Sequence, residues 1–114
     1  MEIKIDNQDC VTVARISGSL DANTVGNAQD MIMPLITANC LLVLDMGQCD
    51  YVSSAGLRLL LMVAKGFKTI EGGRWCLASV SEEIMDVMEM TGFVQFFKTL
   101  DTVENAMEAV QKGE

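Results

Sequence analysis

The segment that most constrains how this chain can fold is the short apolar run Cys40–Met46. Its positions are apolar almost without interruption, instead of alternating between apolar and polar. A run of this length and pattern is typical of a β-strand that is covered on both faces. Because only helices or a second sheet can cover both faces, the run already favours an α/β protein.

The segments around this run alternate between strand-like and helix-like patterns. The predicted strands are Glu2–Asp6, Cys10–Ser17, Cys40–Met46, Arg74–Val80 and Phe96–Leu100. The predicted helices are Val25–Ala38 (kinked or shortened by Pro34), Ser54–Ile70, Ser81–Met90 and a last one from Asp101 or Thr102 to Val110, with Gly47–Val52 as a loop. The order ββαβαβαβα implies one α/β domain over residues 1–114, with a mixed, largely parallel sheet of about five strands and four helices.

Charge and hydropathy exclude several classes of partner. The net charge of −8 argues against direct binding of nucleic acid, which needs clustered Lys and Arg. The longest apolar runs are far shorter than the roughly 18–20 residues of a membrane span, so no direct membrane insertion is expected. The first residues lack the basic start and apolar core of a signal peptide. We therefore expect a cytoplasmic protein.

The residue types also limit the chemistry. The chain has no histidine, which excludes Ser-His-Asp and Cys-His hydrolysis. The four cysteines, Cys10, Cys40, Cys49 and Cys76, show no CxxC spacing and are expected to be small buried residues. Neither GxxxxGK[ST] nor GxGxxG is present. We expect no metal, no cofactor and no enzymatic activity, although catalysis by a carboxylate pair stays formally open.

The most distinctive polar feature is Ser53-Ser54-Ala55-Gly56, four small residues directly before a long amphipathic helix. A serine at this place can act as a helix N-cap, and that alone would explain one of the two. Two serines exceed what one cap needs, and Ala55 and Gly56 would leave room for another protein to approach. A helix N-terminus also tolerates a phosphoryl group, because its N–H donors and its dipole favour negative charge.

Four segments resemble the STAS domain family, whose best-known members are bacterial anti-sigma factor antagonists. Tyr51-Val52-Ser53-Ser54-Ala55-Gly56-Leu57 is similar to the family's Ser-Ser-Ala-Gly-Leu signature, and Gly18-Ser19-Leu20-Asp21 is similar to its Gly-x-Leu-Asp. Leu41–Met46 resembles the central apolar strand that ends in an acid, and Met90-Thr91-Gly92-Phe93 resembles the family's Met-Ser/Thr-Gly-Leu. The resemblance extends along essentially the whole chain and implies the same order of elements.

The resemblance implies a partner switch. In the family's simplest form, the unphosphorylated domain binds an anti-sigma factor that is also a serine kinase. This kinase phosphorylates one serine at the start of the second helix, and a serine phosphatase removes the phosphate. Aligned on Gly56-Leu57, that serine is Ser54, whereas Ser53 stands where many members have Asp.

We expect the partner-binding surface to lie around this serine. The expected residues are Asp21, Asn23, Tyr51, Ser53, Ser54, Ala55, Gly56 and Arg58. Arg58, Lys65 and Lys68 share one face of the predicted helix, which is either a solvated face or a contact for acidic residues of a partner. An alternative function is a STAS scaffold or sensing subunit, not phosphorylated, in a transport or signalling complex.

Overall fold

The computed structural model describes residues 1–113 and contains one mixed sheet with its strands in chain order. The strands are β1 (Glu2–Gln8), β2 (Val11–Leu20), β3 (Leu41–Val52), β4 (Arg74–Ala78) and β5 (Thr99–Leu100). β1 is antiparallel to β2, and the other neighbouring pairs are parallel. The helices are α1 (Val25–Ile32), α2 (Ser54–Phe67), α3 (Glu82–Thr91) and α4 (Val103–Lys112), with 3₁₀ turns at Met33–Leu35 and Phe93–Phe96. The predicted fold class and order of elements are thereby confirmed.

Both faces of the first half of β3 are covered, as its apolar run predicted. Leu42 and Leu44 are fully buried in the larger core, which contains residues from α1, α2 and α3. Val43 is fully buried on the opposite face, in a smaller core that includes Ala106 and Val110 of α4. The sheet is therefore sandwiched between three helices on one side and α4 on the other.

The prediction of a loop at Gly47–Val52 is wrong, because these residues form the second half of β3. Within this segment Gln48, Cys49, Tyr51 and Val52 pair in parallel with residues 17–20. Residues 18–20 thus extend β2 beyond its predicted end at Ser17. The register shifts twice along this pairing, between Arg15 and Ser17 and between Gly18 and Ser19. Irregularities of this kind accommodate the Gly- and Asp-containing sequence that is typical of a loop. Pairing with a distant segment outweighs the local propensity here.

Three other predictions need correction. α1 ends at Ile32 instead of Ala38, and Pro34 lies in the 3₁₀ turn that follows, so the proline shortens the helix as one alternative stated. The last strand begins at Thr99 instead of Phe96, because Phe93–Phe96 form a 3₁₀ turn in which the two terminal rings meet edge to face. Cys10 is exposed in the two-residue β1–β2 turn, where its φ is +70°.

The remaining cysteines divide between partial and full burial. Cys40 is half-buried, whereas Cys49 and Cys76 are buried as expected. Burial raises the pKa of the Cys49 thiol, and it raises that of Cys76 from 9.0 to about 11. Both buried thiols therefore stay protonated at neutral pH, which makes them poor nucleophiles.

Candidate functional site

The two serines have separate places at the start of α2. Ser53 is the N-cap residue, with an extended backbone (φ −84°, ψ 178°), and its Oγ accepts a hydrogen bond from the Gly56 N–H at 3.3 Å. Its carbonyl oxygen accepts the Leu57 N–H at 2.9 Å, which closes the first turn. The capping function predicted for one of the pair therefore belongs to Ser53.

Ser54 is the first residue of α2, and its side chain is exposed. Within residues 1–113 its hydroxyl makes no hydrogen bond, so it contributes nothing visible to the cap. It lies where the N–H groups of a helix's first turn lack intrahelical partners. A negatively charged group attached to this oxygen would be favoured by those donors and by the helix dipole.

The end of β2 is joined directly to this serine step. The Ser53 N–H donates to the Leu20 carbonyl oxygen at 2.9 Å, which brings the next residue, Asp21, beside the start of α2. The Asp21 carboxylate accepts the N–H groups of Asn23 at 2.9 Å and Thr24 at 3.2 Å. Asp21 therefore orders its own loop and the start of α1.

Gly56 is buried under the site and does not lie at its surface. A Cβ at this position would come 2.5 Å from the Leu20 carbonyl oxygen and 2.8 Å from Cγ1 of Val52. The space that the absent side chain leaves is thus filled by the protein itself, and not left open for another protein as the sequence suggested. Any contribution of Gly56 to partner binding is indirect, through the position of α2.

The other predicted site residues surround the serine step. Tyr51 is 55% exposed and lies beside Ser19 in the β2–β3 pairing. Asn23 and Arg58 are exposed, and Ala55 is half-buried. We define the serine surface as Asp21, Asn23, Tyr51, Ser53, Ser54, Ala55 and Arg58. The structure brings the ends of β2 and β3 and the start of α2 together at this surface.

An ion pair on the opposite face of the sheet was not predicted. The Asp45 side chain is buried and accepts hydrogen bonds from Arg15 Nε at 2.9 Å and from the Gly47 N–H at 3.0 Å. It borders an open polar cleft of about 680 Å³ beside the start of α4. Alternating polarity in β2 could have indicated this face, since Arg15 and Ser17 follow the buried Val11 and Val13 at every second position.

Among residues 1–113, no helix is both long enough and apolar enough to cross a bilayer.

The chain is similar to known proteins of one family. The sequence profile of the STAS domain matches residues 2–106. BtrV of Bordetella bronchiseptica, described as a candidate anti-sigma factor antagonist, is 30% identical over 110 residues, which cover 96% of this chain and 94% of BtrV.

Solved structures agree with this fold. An anti-sigma-factor antagonist (STAS) domain protein from Planctomyces limnophilus superposes with a TM-score of 0.83 at 18% identity, covering 96% of this chain and 97% of that one. The Bacillus cell fate determinant SpoIIAA in its phosphorylated form superposes with a TM-score of 0.69 at 20% identity, covering 96% and 99%. The chain belongs to the STAS domain family.

Proposed function

We propose that this protein is an anti-sigma factor antagonist-like partner switch that acts in the cytoplasm. In its unphosphorylated form it binds an anti-sigma factor that is also a serine kinase. That kinase phosphorylates Ser54, the complex dissociates, and a serine phosphatase restores the binding form. The protein acts by binding and not by turnover of a substrate.

The main support for this proposal is that the two serines have different roles in the structure. Ser53 caps α2, so Ser54 is left with an exposed hydroxyl that the fold does not need. An acceptor for a kinase has to be both accessible and dispensable for stability, and Ser54 meets both conditions. The similarity to BtrV supports the role of an anti-sigma factor antagonist, and the similarity to a STAS structure solved in phosphorylated form supports control by phosphorylation.

The proposed switch acts through charge at the centre of the serine surface. A phosphoryl group adds about −1.5 to −2 charges at neutral pH. The N-terminus of α2 tolerates this charge, whereas a partner packed against Ser54 would have to bury it or move away. Phosphorylation is therefore expected to weaken partner binding much more than it changes the fold.

Ser53 replaces the aspartate that many family members have beside the acceptor. A neutral cap lowers the local negative charge, so the unphosphorylated serine surface presents Asp21 as its acidic group. The Asp21 carboxylate is already held by two backbone N–H groups. The change in charge at Ser54 should consequently dominate the electrostatics of the switch.

The test combines phosphate mapping with two matched substitutions. After incubation with ATP and the cognate anti-sigma factor kinase, mass spectrometry should locate phosphate on Ser54, and Ser54→Ala should take up none. Ser53→Ala should lose about 1 kcal/mol of stability with its cap but still be phosphorylated. Ser54→Ala should change the free energy of unfolding by less than about 0.5 kcal/mol.

Binding of the same kinase is measured in parallel by calorimetry. Ser54→Asp is expected to weaken it markedly relative to the parent and to Ser54→Ala. Phosphate located on another residue would refute the assignment to Ser54. Equal affinity of the parent and Ser54→Asp would refute the charge mechanism.

A further inference from the structure

The exposed face of α2 carries positive charge in an otherwise acidic protein. Arg58, Lys65 and Lys68 are all exposed, and they follow Ser54 on the same side of the helix, with Met62 between them. We call Arg58, Lys65 and Lys68 the cationic face. It extends about 21 Å along the helix from Ser54, at 1.5 Å per residue.

Acidic residues are absent from the whole of this part of the sequence. Residues 51–70 contain no Asp or Glu, although the chain has 16. The segment therefore contributes +3, and since the whole chain carries −8, the remaining residues carry −11. The sequence separates these three cations from the acidic residues, and the fold places them together on one surface.

Most of the other cations have partners within the protein. Lys4 pairs with Glu2, Arg15 with Asp45 and Lys112 with Glu108. The Arg74 guanidinium donates to carbonyl oxygens at the end of α4. By contrast, no residue of the cationic face forms an ion pair with a carboxylate of residues 1–113.

The helix dipole explains only part of this arrangement. Lys65 lies in the last turn of α2 and Lys68 is its C-cap, where a cation is favourable. Arg58 lies four residues after the first residue of α2, where the dipole gives a cation no support. Neither the helix dipole nor an ion pair within residues 1–113 therefore accounts for a cation at this end of the helix, one turn from Ser54.

From these observations we infer that the cationic face is a docking surface for an acidic protein surface, and that it extends the serine surface along α2. The partner presents carboxylates over a length of several helical turns, together with apolar side chains that contact Met62. An acidic partner is repelled by the rest of the molecule, so this one face fixes its orientation. The inference rests on the proposed function, since it states the chemistry of the partner that the switch binds.

The test uses the unphosphorylated full chain and a synthetic amphipathic peptide of Glu and Leu at helical spacing. Binding is measured by fluorescence anisotropy, and amide chemical shifts locate the site. The parent should bind with shifts concentrated in residues 54–68. Arg58→Glu/Lys65→Glu/Lys68→Glu should weaken binding by about tenfold or more, and raising NaCl from about 50 to about 300 mM should weaken binding of the parent.

Several controls make the result specific. Lys98→Glu changes one exposed cation outside α2 and should alter the affinity by less than about twofold. A peptide with Gln in place of Glu should bind much more weakly than the acidic one. Should the triple reversal fail to fold, Arg58→Gln/Lys65→Gln/Lys68→Gln serves instead. Equal binding by the parent and the folded triple variant, or an equal loss with Lys98→Glu, would overturn the inference.

Two further measurements separate this inference from its alternatives. Tighter binding to vesicles containing phosphatidylglycerol than to the acidic peptide, lost in the triple variant, would assign the cationic face to a membrane surface and overturn the protein assignment. Binding of the cognate kinase by Ser54→Asp and by the triple variant distinguishes the two proposals. Loss of kinase binding only in the triple variant supports the docking surface and refutes the switch. Loss of kinase binding only in Ser54→Asp supports the switch and refutes the docking surface.

Discussion

At the scale of single residues, Gly56 is the position where the site depends most directly on packing. Gly56→Ala should destabilise the protein by about 1–3 kcal/mol, because its Cβ would overlap the Leu20 carbonyl oxygen and Cγ1 of Val52. Gly26→Ala in α1 is the matched control, since nothing lies within 4 Å of a Cβ there. It should be neutral or stabilising by up to about 1 kcal/mol. Urea denaturation of both variants checks the difference, and equal effects would contradict the packing argument.

Single-residue roles could be predicted from the sequence only in part. The pattern before α2 indicated a cap and an accessible serine, but it could not assign Ser53 to the first and Ser54 to the second by propensity alone. It also suggested that Gly56 clears space for a partner. The deciding contact comes from Leu20, more than 30 residues earlier, and no local pattern reports such a contact.

At the scale of elements, α4 is attached to the sheet by a side chain from the start of β4. The Arg74 guanidinium donates to the carbonyl oxygens of Val110 and Gln111, the latter at 3.1 Å. Carbonyl groups in the last turn of a helix have no intrahelical partner, so Arg74 acts as a tertiary cap. Gln111 adds a second link to the β1–β2 turn, where its Nε2 donates to the Asp9 carbonyl oxygen at 2.8 Å.

Removing this cap should loosen the end of α4 selectively. Arg74→Ala is expected to cost about 1.5–3 kcal/mol, the usual contribution of hydrogen bonds to a charged group. Hydrogen exchange of the amides near the end of α4 should become faster, while that of α2 should change only with global stability. Lys98→Ala is the control, because Lys98 is exposed and forms no ion pair with a carboxylate in the described chain. Uniform acceleration across all helices would show that Arg74 is not specific to α4.

Element boundaries were predictable where the local signal and the tertiary contacts agree. The serine pair before α2 and the apolar run Cys40–Met46 predicted the start of α2 and the first half of the central strand correctly. The second half of β3 was missed because its sequence is typical of a loop, and its strand conformation depends on pairing with the end of β2. Such long-range pairing is decided by the whole sheet and not by the residues themselves.

At the scale of the whole molecule, a buried thiol links stability to pH. The pKa of Cys76 is raised to about 11 in the folded protein, whereas the thiol titrates near 9.0 when exposed. Above pH 9 the unfolded chain loses this proton and the folded chain keeps it, so unfolding releases a proton and stability falls as pH rises. Burial raises the pKa of Cys49 as well, which acts in the same direction.

The free energy of unfolding should therefore decrease between pH 9 and 11, with up to about 3 kcal/mol arising from Cys76. In Cys76→Ala, the contribution of Cys76 to this decrease in the free energy of unfolding is absent, whereas the contribution of Cys49 remains. Denaturant titrations of both proteins at several pH values measure the difference. Parallel curves for the parent and Cys76→Ala would contradict the proposed linkage.

The arrangement of the sheet and its helices was the most predictable aspect of the structure. Because Cys40–Met46 had to be covered on both faces, and strands alternate with helices around it, a largely parallel sheet between helices was the consistent solution. The structure confirms the largely parallel sheet with helices packed on it, whereas the placement of α4 alone on one face of residues 1–113 was not predicted.

The hydrogen bond from the Ser53 N–H to the Leu20 carbonyl oxygen has a consequence for the kinetics of complex formation. It joins the end of β2 to the start of α2, so the two segments that form the serine surface are held in a fixed relation. The serine surface is therefore already ordered in the free protein, because its conformational entropy was lost on folding. Association with a partner then needs no slow conformational step. The free and bound backbones should differ by less than about 1 Å at these segments. The signal would then be carried by the lifetime of the complex and not by a change in the shape of the protein.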